Sequence, residues 1–199
     1  LSLPGLLAAV QRDLAEEGVA WALVGGLAVA ARTEPRFTAD LDLAVGVADD
    51  PAAEALLRRL MQRGYEIHSL MEQTASGRLA TARLQAPGFE YPVEILFASS
   101  GVEAEIVATS DIVEIFPGTR VPVARIPHLV AMKLLARDDA RRDQDCGDLR
   151  RLLRRCGPAE LAQTRTLLDC IRQRGFHRGR DLVTSLSRAW EELSGSEPS

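Results

Sequence analysis

The chain has 199 residues, 46% of them apolar and 26% charged, with a formal net charge of −4. That is enough for one sizeable core, and the mildly acidic balance excludes a protein coated in basic residues for bulk nucleic-acid or membrane binding, so any such contact must be local. The cysteines, Cys146, Cys156 and Cys170, are odd in number and form no C-x-x-C pair, so they point to neither a disulfide framework nor a zinc site but to small helix-packing residues in a reducing cytosol.

In chain order, Ser2 with Pro4 starts a helix whose Leu6, Leu7, Val10 and Leu14 recur at helical spacing until Gly18. Trp21 to Val45 then reads as a short apolar strand, a turn at Gly25 and Gly26, an Ala-rich helix, a polar loop, and a strand opening with Asp40-Leu41-Asp42. Side chains alternate along a strand, so Asp40 and Asp42 share one face, roughly 6–7 Å apart, while Leu41, Leu43 and Val45 point into the core. Two carboxylates so placed are costly unless a cation lies between them, and an oxygen-preferring divalent ion, Mg²⁺ or Mn²⁺, is the candidate. Gly25 and Gly26 let backbone approach closely where a helix begins, and free N–H groups there favour a phosphate. Each signal has a plainer reading: an exposed strand face also alternates polar residues, and a glycine turn before a helix with an acidic residue beyond it also suggests a dinucleotide site. The G-x-G-x-x-G spacing of that site is missing.

Asp49-Asp50-Pro51 opens a second helix with Ala55, Leu56, Leu60 and Met61 inward and Arg58, Arg59 and Arg63 as its solvated face, closing at Gly64. Strands are expected at Tyr65 to Leu70 and Gly77 to Gln85, with a polar loop from Met71 to Ser76 between them, and again at Tyr91 to Phe97 after the Pro87-Gly88 turn. Glu94 is the only charged side chain of that last strand. Beside the Asp40 strand it would complete a three-carboxylate site; at a sheet edge it would simply face solvent.

A short helix is expected at Ser99 to Ala108, and a hairpin at Ile112 to Phe116 and Val121 to Ala124 across Pro117-Gly118. From Pro127 a helix shows Leu129, Met132, Leu135 and Ala136 as its stripe and carries Lys133, the only lysine of the chain. Where arginine is otherwise used throughout, a retained compact ammonium suits triphosphate contact, or it snorkels at the surface. Arg137 to Asp143 reads as a charged link. Asp145 and Asp148 share a helix face and are expected to orient arginines by ion pairing, or else to support the site. Helices at Ala159 to Arg172 and Arg180 to Leu193 flank a cationic joint at Arg174 to Arg180, which fits a solvated turn or a local phosphate contact. Residues 195–199 read as a disordered tail.

Gly25-Gly26-x-Ala28, Arg32, and Arg36-x-Thr38-x-Asp40-Leu41-Asp42-Leu43 together resemble the signature of the DNA polymerase beta-like nucleotidyltransferase superfamily. The string is most similar to the small bacterial AbiEii-type toxins of toxin–antitoxin systems. The resemblance continues through Val93-Glu94-Ile95-Leu96-Phe97, Ala131-Met132-Lys133-Leu134-Leu135-Ala136 and Gln144-Asp145-x-x-Asp148-Leu149, covering about residues 20 to 155. It implies an α/β fold, a small mixed sheet flanked by helices, with a catalytic core over 1–125 and a helical part over 126–194. It also implies transfer of a nucleoside monophosphate from a nucleoside triphosphate to a hydroxyl of an RNA 3′ end, a protein or a small molecule. Asp40, Asp42 and Glu94 would hold Mg²⁺ or Mn²⁺, and Gly25, Gly26, Arg36, Thr38 and Lys133 would bind nucleotide, with an antitoxin as the implied partner. The family usually carries an aspartate where this chain has Glu94, so a catalytically inert nucleotide- or partner-binding module is the second reading; Glu90 is the nearest alternative third ligand. No apolar run approaches the roughly 20 residues of a membrane span, and the start lacks a signal-type core, so a soluble cytoplasmic protein is expected.

Overall fold

The computed structural model describes residues 2–74, 76–136 and 143–195, without the side chains of 143 and 144. A mixed sheet of seven strands carries helices on its faces, an α/β architecture as expected. Helix α1 (Leu3–Glu16) is capped by the Ser2 hydroxyl and buries Leu6, Leu7, Val10 and Leu14. It leads into β1 (Trp21–Leu23), α2 (Gly25–Arg32) and β2 (Leu41–Val45), the strand–helix–strand unit read from the sequence. There follow α3 (Asp50–Gln62), β3 (Glu66–Glu72), β4 (Leu79–Gln85), β5 (Pro92–Leu96), α4 (Glu103–Thr109), β6 (Asp111–Phe116) and β7 (Thr119–Val123). The chain then turns helical in α5 (Ile126–Ala136), α6 (Asp143–Leu153), α7 (Pro158–Gln173) and α8 (Leu182–Ser194).

The strand order is β3-β4-β5-β2-β1-β7-β6. β2 is therefore central, antiparallel to β1 and parallel to β5, and both its neighbours bury apolar side chains against the same core. β5 is internal too, so Glu94 does not lie at a sheet edge. Helix α5 packs against α2, α6, α7 and α8, which fixes the height of Lys133 above the sheet. Among the described residues no helix is long and apolar enough to cross a membrane.

Several local expectations need correction. On α3 the buried residues are Ala53, Leu56, Leu57 and Leu60, while Met61 is exposed: the apolar stripe sits one step round the helix from its expected position. Arg59 and Arg63 are not merely solvated, because they pair with Glu17 at 2.5 and 2.7 Å and tie α3 to the end of α1. β3 runs through Met71 and Glu72, where a loop was expected, since pairing with β4 holds them. Helix α5 is buried over most of its circumference, including His128, Val130, Ala131 and Leu134, whereas Met132 and Ala136 line a cavity. In the joint after α7, Arg174 pairs with Glu105 and Arg180 donates to the Leu135 carbonyl, so these cations brace α4 and α5. Phe176 is buried there, against the backbone of Gly101. The charged link at 137–142 and the tail at 196–199 lie outside the described residues.

Candidate active site

One cavity of about 670 Å³ gathers residues from the α2 start, the loop before β2, β2, β4, β5, α5 and α6. At its floor, Gly25 opens α2 with φ of +62°, a left-handed conformation that disfavours side chains, and a Cβ there would stand 1.8 Å from Asp42 Oδ2. At Gly26 a Cβ would meet Arg36 Nη2 at 2.5 Å and Thr38 Oγ1 at 2.7 Å. Glycine is therefore required at position 25, so that the Asp42 carboxylate can seat against the helix start, and at position 26 it leaves room for the Arg36 and Thr38 side chains to lie over the helix start.

Asp40 lies just ahead of β2 and accepts a hydrogen bond from the Thr38 hydroxyl at 3.1 Å. Asp42 stands directly across from Glu94 in the parallel β2–β5 register. Burial raises the Asp42 carboxyl to about 7, helped by repulsion from Asp40 and Glu94, while the Gly26 amide and the Lys133 ammonium pull the other way. The carboxylates named from the sequence thus do share one site, closely enough to feel each other's charge. Glu90 is exposed and does not line the cavity.

Among the described residues no group of His, Cys, Asp and Glu side chains converges tightly enough to enclose a metal ion. The donor set is nonetheless all oxygen and anionic, and Mg²⁺ is ordinarily held by one or two carboxylates with waters and substrate phosphates completing its shell. Asp40, Asp42 and Glu94 fit such an ion by the chemistry of their donors and by the mutual repulsion it would relieve.

Opposite the carboxylates, Lys133 Nζ lies 2.7 Å from Asp145 and 2.9 Å from Asp148. Asp148 is fully buried and also binds Arg36 at 2.7 Å and Arg151 at 3.4 Å. The expected pairing of these aspartates with arginines therefore holds for Asp148, and the sole lysine joins the same network. Arg36 Nη1 donates to the Phe37 carbonyl at 2.8 Å, and its buried Nε has no partner among the described residues. An unsatisfied cationic donor beside the start of α2 suits an anionic ligand there.

Arg83 and Phe37 also line the cavity and escaped the sequence reading. Phe37 is the most exposed large apolar side chain described, at 81%. Arg83 carried a readable signal: it is the only charge on an otherwise apolar or neutral strand, as Glu94 is on β5.

A family model described as nucleotidyl transferase AbiEii toxin, type IV TA system, matches residues 6–196. No curated protein sequence matches. Among solved structures, the solution structure of the antibiotic-resistance factor ANT(2'')-Ia is similar, with a TM-score of 0.59 and 13% identity over 94% of this chain and 96% of that one. ANT(2'')-Ia in complex with adenylyl-2''-tobramycin gives a TM-score of 0.56 at 16% identity, over 85% and 97% of the two chains. An antigenic nucleotidyltransferase-like protein from Paracoccidioides brasiliensis gives 0.51 at 18%, over 94% and 91%. At these identities the likeness is one of fold.

Proposed function

Because the chain belongs to the AbiEii nucleotidyl transferase toxin family, and is thereby a nucleotidyltransferase, we propose that it moves a nucleoside monophosphate from a nucleoside triphosphate to an acceptor hydroxyl, as the toxin of a toxin–antitoxin pair. The observation that carries this reading is the row of Asp42 and Glu94 in register, with Asp40 beside them, facing a glycine-built helix start. Asp40, Asp42 and Glu94 would hold Mg²⁺ or Mn²⁺. Such an ion, when bound, lowers the pKa of an acceptor hydroxyl and neutralises triphosphate charge.

The chain's own residues do the rest by positioning. The α2 start and the unpaired Nε of Arg36 receive phosphate oxygens, with Arg36 held still by Asp148. Thr38 fixes the rotamer of Asp40 through its hydroxyl. Lys133 adds positive charge to the nucleotide side, in competition with the aspartates that hold it. Glu94, in register with Asp42 on β5, would either ligate the ion or accept the acceptor's proton.

The test is incubation with each labelled nucleoside triphosphate, Mg²⁺, and total RNA and protein extracts. Label should enter one fraction, disappear with chelator and with Asp42→Asn, and fall about 10²-fold with Glu94→Gln, Glu94→Asp being less affected. Undiminished transfer by Asp42→Asn would sink the site assignment. Nucleotide binding without transfer to any fraction would favour the inert module instead.

A further inference from the structure

Outside the central cavity, arginines gather at the end of α6. Positions 150, 151, 154 and 155 are all arginine, on either side of the buried Leu152 and Leu153. Anchoring by the two leucines leaves Arg154 and Arg155 exposed and Arg151 half-buried. These three, with Thr33 and Glu34 just past the end of α2, line a second cavity of about 280 Å³. It shares no lining residue with the central one.

The charges of this second cavity are left over from pairing. Arg154 and Arg155 make no side-chain hydrogen bond or ion pair among the described residues, and the exposed Glu34 pairs with neither. Arg151 reaches Asp148 Oδ1 at 3.4 Å, a carboxylate that also holds Arg36 at 2.7 Å and Lys133 at 2.9 Å. Three guanidinium groups therefore face one carboxylate in a small concavity, and their mutual repulsion is relieved by an anion. Guanidinium forks match phosphate oxygens. The volume falls just short of the roughly 300–1,000 Å³ of pockets that bury a drug-sized ligand, which suits a small anion and not a nucleoside. Among the described residues the lining includes no aromatic side chain on which a base could stack. A single carboxylate brings one charge to three cations, whereas a condensed phosphate packs several into the same space.

We propose that the cavity formed by Arg151, Arg154, Arg155 and Thr33 is an effector site for a condensed phosphate, pyrophosphate in the first place, and that its occupation weakens nucleoside triphosphate binding in the central cavity. The coupling, though not the site, rests on the nucleotidyltransferase reading, in which pyrophosphate is the released product. Its route is Asp148. An anion that draws Arg151 away leaves the Asp148 charge to Arg36 and Lys133 alone, so both are held more firmly and are less available to a triphosphate. The anion also lowers the positive potential behind them, which acts in the same direction. Thr33 and Glu34 belong to the segment that runs on to Arg36, so the two cavities share a wall of backbone as well as an ion-pair network.

Calorimetry in metal-free buffer measures binding of pyrophosphate, orthophosphate and hexaglutamate to the full chain, to Arg154→Gln/Arg155→Gln and to Glu34→Gln. Pyrophosphate should bind the unaltered protein most tightly of the three, weaken about tenfold in the double variant, and tighten in Glu34→Gln, where the opposing carboxylate is gone. Equal binding to the unaltered protein and the double variant overturns the site. Orthophosphate or hexaglutamate binding as tightly as pyrophosphate overturns the ligand class. The coupling is read from the affinity for a non-hydrolysable nucleoside triphosphate in Mg²⁺ as pyrophosphate is added. Without pyrophosphate the double variant should match the unaltered protein. Direct competition in the central cavity acts on both, so the effector's share is the extra loss in the unaltered protein, about fivefold. Arg151→Gln should show weakened nucleotide binding with no pyrophosphate present. An equal response in the unaltered protein and the double variant, or full nucleotide affinity in Arg151→Gln, overturns the coupling. If the unaltered protein binds no nucleotide in Mg²⁺, the nucleotidyltransferase reading falls and the coupling with it, while the metal-free measurements still decide the site.

Discussion

Lys133 is the residue at which stability and chemistry are hardest to separate, since its ammonium satisfies Asp145 and the fully buried Asp148 while facing the cavity. Removing it leaves buried carboxylate charge undercompensated, although Arg36 and Arg151 still serve Asp148. Lys133→Met should therefore cost on the order of 3 kcal/mol in denaturant melts, a penalty that says nothing about catalysis. Pairing it with Asp145→Asn removes part of the stranded charge, and the double variant should regain much of that stability. If Lys133 also contacts nucleotide, transfer and triphosphate affinity should stay depressed in the double variant. Recovery of both with stability would reduce Lys133 to a structural ion pair. The sequence exposed this residue through its rarity, but not its partners: Asp145 and Asp148 were visible as a helix pair, whereas their meeting with Lys133 and Arg36 depends on how α6 packs against α2 and α5.

At the scale of elements, helix and strand positions were readable because α1, α3 and β5 carry strong caps, periods or apolar runs, and local chemistry sets those. Register was not, because the Asp42–Glu94 and Glu94–Arg83 alignments are fixed by how distant strands close a sheet. The contact of α4 with α5 is another such feature. His128 on α5 is 1% exposed, 3.5 Å from the Thr109 hydroxyl, with Glu105 and Arg125 the charged groups acting on it. Burial lowers its pKa from 6.5 to about 4, against a pull upward from Glu105. A depressed histidine pKa in the folded state means that the unfolded chain binds the proton first as pH falls. The contribution of neutral His128 is full above about 6.5 and is lost progressively towards 4. The gap in Tm between the unaltered protein and His128→Gln should accordingly shrink as pH is lowered across that window. Asp42, whose carboxyl is shifted the other way, is present in both proteins and cancels. A gap that stays constant with pH would show that His128 does not titrate as its burial requires.

For the molecule as a whole, the question is whether the sheet with its flanking helices and the helices from α5 onward behave as one unit. The sequence suggested a boundary near residue 125, where strand patterning gives way to helical. Packing argues for a single cooperative body. Buried residues from Leu6 to Ala189 form one continuous cluster, α5 touches α2 as well as α6, α7 and α8, and Arg174 reaches back to Glu105 and the Gly101 carbonyl. The cavity itself needs both parts, since β2, β4 and β5 supply one wall and α5 with α6 the other. The two tryptophans report on this division without any label, because Trp21 is buried on β1 and Trp190 packs on the core from α8. In Trp190→Phe the emission follows the sheet, and in Trp21→Phe it follows the last helix. Once each curve is referred to far-ultraviolet circular dichroism of the same variant, fluorescence and secondary structure should be lost together in both, as two-state unfolding requires. Earlier loss of the Trp190 signal in Trp21→Phe would instead mark the C-terminal helices as a separately melting layer, and would predict that nucleotide affinity, which the proposed site assigns in part to Lys133 of α5, fails at that lower temperature.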